Sequence, residues 1–67
     1  MKPTATMTKL TEVFDQAIYD RYVAREVRGM KRLRTRGHVD FRDWSDAMID
    51  EAATTLARIN RAGYVYR

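Results

Sequence analysis

The residues with the greatest capacity for chemistry in this chain are its arginines. Between Arg21 and Gly37 stand seven cations, Arg21, Arg25, Arg28, Lys31, Arg32, Arg34 and Arg36, against the single anion Glu26, a local charge of +6. Arginine matches the planar, two-pronged geometry of phosphate and carboxylate. A basic helical stripe is also the electrostatic footprint of nucleic-acid binding, with an affinity that falls with salt. Arg25, Arg28, Lys31, Arg32, Arg34 and Arg36 are therefore one candidate contact set, for phosphates. A structural reading competes with it. Cations are favoured at a helix C-terminus and anions at a helix N-terminus, and Asp40, Asp43, Asp46 and Asp50 follow directly. Side by side in an antiparallel hairpin, the two ends would neutralise each other. Over Arg21 to Asp50, eight cations meet five anions, and the surplus falls to +3.

A second candidate surface is apolar. Tyr19, Tyr22, Val23, Met30 and Leu33 cluster on one side of a helix at about 100° per residue, nearly opposite a stripe of Leu10, Val13, Phe14, Ala17 and Ala24. A helix with two apolar sides touches two bodies. Tyr, Met and Arg are the types that interfaces favour, so the second side, rimmed by Arg25, Arg32 and Arg34, is read as a docking surface for a protein partner or a second copy of the chain. This gives the leading functional expectation, a small non-enzymatic binding or regulatory module that docks on a protein. Nucleic-acid binding through the stretch 21–36 is the alternative.

Catalysis has little to stand on. Ser45 is the only serine, and no His or Lys is spaced to act as its base. Gly29, Gly37 and Gly63 are isolated, which excludes a glycine-rich phosphate loop. With no Cys and one His, disulfides and thiolate or histidine-rich metal sites are out of reach, and no cofactor is expected. His38 reads as a tolerated turn residue, Trp44 as core, and Tyr64 and Tyr66 as residues folding back onto the chain. Known DNA-binding patterns fit poorly. A helix-turn-helix needs a third helix, and a ribbon-helix-helix needs a short first helix.

These residues must be positioned by very little protein. The chain has 67 residues and a net charge of +4, from 13 basic and 9 acidic side chains. That length makes one domain of marginal stability, since a chain this small buries only about 60% of its unfolded surface. Without disulfides or metals, association is the remaining support. No apolar run approaches the roughly 18 residues of a membrane span, and Met1-Lys2-Pro3-Thr4 opens no signal peptide. The expectation is a cytoplasmic protein, with no membrane and no small-molecule substrate among its partners.

The predicted fold is all-α: an antiparallel helical hairpin over residues 1–67, completed by homodimerisation into a four-helix arrangement. Residues 1–7 form a flexible N-terminus and 64–67 a tail too short for a strand. Thr8 caps a first helix from Lys9 to Thr35, about 40 Å long at 1.5 Å per residue if Gly29 does not break it. Gly37 takes the left-handed position after its end. Asp40 caps a second helix over Phe41 to Ala62, with Asp43 three residues in and Val39 stapled to Trp44. Phe41, Trp44, Met48, Ala52, Leu56 and Ile59 form its buried stripe. Gly63 ends it, with Tyr64 contacting Ile59.

Overall fold

The computed structural model describes residues 10–67. Its elements run β1 (Glu12–Phe14), α1 (Gln16–Thr35), α2 (Asp46–Ile59) and β2 (Tyr64–Tyr66). The two helices pack against each other, and the protein is mostly helical. The expected all-α chain proves to carry a small sheet as well. β1 and β2 pair antiparallel, with Glu12 opposite Tyr66, Val13 opposite Val65 and Phe14 opposite Tyr64. Thr11 and Arg67 extend the ladder by exchanging N–H···O bonds of 3.0 Å.

The first helix therefore starts later than expected. Val13 and Phe14 are β-branched and aromatic, and a complementary Tyr-Val-Tyr segment lies across from them. Asp15 then makes the turn into the helix. It is extended (φ −107°, ψ 108°), and its Oδ1 accepts from the Ile18 N–H at 3.2 Å, the geometry of an N-cap. That bond, with the Arg67 guanidinium beside it, holds the Asp15 carboxyl below its usual range. Thr8, Lys9 and the expected flexible segment 1–7 lie outside the described residues. The remaining helix runs unbroken through Gly29.

The end of α1 is as expected. Gly37 has φ +78°, its N–H donates to the Arg34 carbonyl, and the His38 N–H donates to the Leu33 carbonyl. Both bonds of a Schellman closure are present.

The start of α2 differs. Residues 38–44 form consecutive turns, with the Phe41 and Arg42 N–H groups both donating to the His38 carbonyl at 2.9 Å. Ser45, not Asp40, caps the helix through its Oγ, which accepts from the Met48 N–H. Val39 is 68% exposed, so it staples nothing. The reason lies in Phe41 and Trp44. They pack edge to face at 4.8 Å and lie together against the core, which folds the chain back before the helix begins.

α2 also ends early, at Ile59. Arg61 takes the left-handed position at φ +53°, and the Ala62 N–H closes onto the Ala57 carbonyl at 2.8 Å. Gly63 has a different duty. It meets Asp15 and Tyr19 where the sheet joins α1, and the Asp15 N–H donates to its carbonyl at 2.6 Å. A Cβ on Gly63 would stand 2.7 Å from Phe14 Cε1 and 3.1 Å from the Asp15 carbonyl oxygen. Tyr64 instead packs on Phe14 and under the Arg61 guanidinium, and Ile59 is left 70% exposed.

The core consists of Met30, Ile49 and Ala53, ringed by Val23, Val27, Phe41, Trp44, Ala52 and Leu56. Ile49, Ala53 and Ala57 reach zero exposure because the alanines let α1 approach closely. A difference between two glycines follows. Both have positive φ, but a Cβ at Gly37 meets nothing within 4 Å. Gly37→Ala should cost about 1 kcal/mol from backbone strain alone, and Gly63→Ala about 2–3 kcal/mol from strain plus collision. Urea denaturation of the two variants measures the gap, and equal costs would contradict the corner described here.

Candidate nucleic-acid interface

α1 divides its circumference cleanly. Val23, Val27 and Met30 face α2. On the opposite side, at about 100° per residue, lie Arg21, Arg25, Arg28 and Arg32, all exposed, with exposed Ala17 and Ala24 beside them. The spacing i, i+4, i+7, i+11 makes these four a straight ridge of about 16 Å. Arg21, Arg25 and Arg28 border a shallow depression floored by Ile18, Tyr22 and Ala24. No acidic residue of α1 falls on this face: Asp20 lies toward one edge of the buried side and half-buried Glu26 toward the other.

The expected neutralisation is confined to one arginine. Arg34 donates from Nη1 to the Trp44 carbonyl at 3.0 Å, and its Nη2 lies 2.8 Å from Asp46 Oδ1. The hydrogen bond from Arg34, helped by the charges of Lys31 and Arg34, holds the Asp46 carboxyl below its usual range. The other loop acids turn elsewhere. Asp40 lies 3.8 Å from His38 Nδ1, Asp43 lies 4.0 Å from Arg42 Nε, and Asp50 makes no ion pair among the described residues. Arg21, Arg25, Arg28, Arg32 and Arg36 likewise have no carboxylate within ion-pair distance among the described residues. The turns at 38–44 keep Asp40 and Asp43 in the loop, away from the ridge.

Of the predicted phosphate contacts, Arg25, Arg28 and Arg32 share the ridge. Lys31 lies beside it toward Asp46, Arg36 is the exposed cap of α1, and Arg34 is engaged in holding the loop. Arg21 completes the row and was missing from the set, although its spacing to Arg25 and Arg28 carried the signal.

The predicted apolar docking set is split. Met30 is buried and Val23 packs beside it in the chain's own core. Tyr19 stacks near Phe14 at 5.5 Å, and the Tyr22 hydroxyl accepts from Asn60 Nδ2 at 2.9 Å. Leu33 is half-buried at the edge of an open groove between the helices, with Gly29, Met30, Phe41 and Leu56 on its floor and Glu26, Arg32 and Arg36 at its rim. The two apolar sides expected of the first helix thus reduce to one, because β1 removes Val13 and Phe14 from the helix. Leu10 is 58% exposed.

Among the described residues there is no cluster of three or more potential metal ligands, and no helix is long and apolar enough to cross a membrane. Compared with family models, characterised proteins and solved structures, the chain matches none.

Arg34 and Arg28 should separate cleanly in their effects. Asp46 has a lower pKa folded than unfolded, so the stability it contributes is full above the ordinary carboxylate value of about 4. It is lost as pH falls through the lower folded value. Arg34→Gln should lower the urea midpoint near neutral pH and flatten its decline in acid, whereas Arg28→Gln should leave both unchanged. Matching acid profiles for wild type and Arg34→Gln would remove Arg34 from this role.

Proposed function

We propose that this chain is a small, non-enzymatic, cytoplasmic module that binds the phosphate backbone of nucleic acid through the outer face of α1, and that it works as a homodimer with four helices. The observation that carries the binding surface is the acid-free row Arg21, Arg25, Arg28 and Arg32, exposed on the face turned away from α2. Four guanidinium groups in line, without local carboxylates, form a field that attracts a polyanion. A ridge of about 16 Å with four guanidinium groups can reach several phosphates, which lie about 3.4 Å apart per strand measured along the duplex axis. The side chains offer paired donors to phosphate oxygens, which gives register on the backbone without base readout.

Docking on a protein is the second reading. Its expected apolar centre keeps only Tyr22 and Leu33, since Val23 and Met30 serve the internal core and Tyr19 packs on Phe14. The partner this surface suits is another copy of the chain. Only Met30, Ile49, Ala53 and Ala57 are buried hydrophobic residues among those described, while Met48 and Ile59 stay open to water. Further apolar cover would stabilise so small a core.

Fluorescence anisotropy with labelled duplex DNA tests the binding. The logarithm of the association constant should fall with the logarithm of salt with a slope of about −3 to −4, near −0.9 per neutralised phosphate. Arg25→Gln/Arg28→Gln should reduce that slope by about 2 with folding intact. Absence of binding at low salt, or an unchanged slope in the variant, would end this reading.

A further inference from the structure

The depression on the outer face of α1 has a floor that phosphate does not use. Arg21, Arg25 and Arg28 stand at its border, but Ile18 and Tyr22 place an aliphatic and an aromatic side chain between them. Both are half-buried. Tyr22 is also held from a distance. Its hydroxyl accepts from Nδ2 of Asn60, the residue that caps the end of α2, at 2.9 Å and across 38 residues of chain. The same Nδ2 donates to the Leu56 carbonyl at 3.0 Å, so the tether is itself anchored. With its far end tied, the ring stays in the depression, and a ligand that covers it costs little further side-chain freedom.

The charges around the ring are of one sign. Arg25 lies three residues after Tyr22 and Ile18 four before, the spacings that make neighbours on a helix surface. Arg21, Arg25 and Arg28 have no carboxylate within ion-pair distance among the described residues. Glu26 lies on the other side of Tyr22, at the rim of the groove beside α2. The depression therefore offers cations to a phosphate and an aromatic floor to a flat ring. A duplex turns its phosphates outward and keeps its base faces stacked inside, so it engages the border alone. An unpaired nucleotide brings phosphate and base face together. We infer that the arginine ridge takes single-stranded nucleic acid in preference to duplex, with an unpaired base stacked on Tyr22 and its neighbouring phosphates on Arg21, Arg25 and Arg28. Stacking requires only a π-face, so the site accepts any base. The arginines alone would favour the duplex, whose charge density is higher; the preference for a single strand belongs to Tyr22.

The assignment rests on the phosphate-binding reading above and names the form of nucleic acid that the ridge takes. Fluorescence anisotropy tests it with three labelled probes: an oligothymidylate, an abasic strand with the same number of phosphates, and a duplex of the same length. Wild type should hold the oligothymidylate about tenfold more tightly than the abasic strand, with the same salt slope. It should also hold it more tightly than the duplex at physiological salt. Tyr22→Leu, with its helicity checked by circular dichroism, should bind oligothymidylate and abasic strand alike, and Tyr22→Phe should restore most of the difference. Equal affinity of wild type for oligothymidylate and abasic strand would overturn the inference without recourse to any variant. So would a duplex held as tightly as the oligothymidylate, or a tenfold difference that survives in Tyr22→Leu. In each of those cases the phosphate-binding reading stands, whereas absence of binding to all three probes at low salt would end both.

Discussion

Two helices share one interface, and that constraint governs the molecule. α1 presents Val23, Val27 and Met30 to α2, and Ile49, Ala53 and Ala57 answer from the other side with no exposure left. Each alanine contributes little apolar area, but each lets the helix axes close up. Once that contact is made, with Tyr19 packed on Phe14 and Arg34 tied to the loop, the outer face of α1 is left to water or to other molecules. The arginine ridge is opposite the contact, so the candidate surface is set by which face α1 buries.

The ends of the hairpin are fixed by local devices that operate at a distance in sequence. At one end, β1 and β2 tie residue 11 to residue 67, and the ion pairs Arg61–Glu12 and Arg67–Asp15 cross the same junction. Asp15 serves both as helix cap and as partner of Arg67, so the start of α1 and the end of the chain hold each other. At the other end, Arg34 reaches the Trp44 carbonyl and Asp46, fixing the loop to α1. This leaves the remaining arginines of α1 without such duties among the described residues, and a charge surplus that looked structural becomes available for a ligand.

Features that depend on a few neighbouring residues were legible in the sequence. The helical pair and the glycine closure at Gly37 follow from period, propensity and turn chemistry, whereas whether α1 continues through Gly29 was open in the sequence. Features that depend on distant partners were not. Glu12-Val13-Phe14 reads as a helical extension until Tyr64-Val65-Tyr66 is placed across it, and three-residue strands carry almost no periodic signal. Asp40 and Ser45 are both good caps, and only the docking of Phe41 and Trp44 on the core decides between them. Gly63 reads as a helix stop, whereas its contact with Phe14 and Asp15 belongs to the sheet corner. The basic stretch was visible at once. Its division into a ridge and one structural arginine needed the loop in three dimensions.

The central claim is that α1 buries one face and offers the opposite one to phosphate. Amide and guanidinium chemical shifts of isotopically labelled protein, followed by nuclear magnetic resonance during titration with duplex DNA at low salt, test it most directly. The largest changes are predicted at Arg21, Arg25, Arg28 and Arg32, with Ile49, Ala53 and the β1–β2 pair unmoved. Changes concentrated on the sheet or on the α2 surface, with the ridge silent, would contradict it.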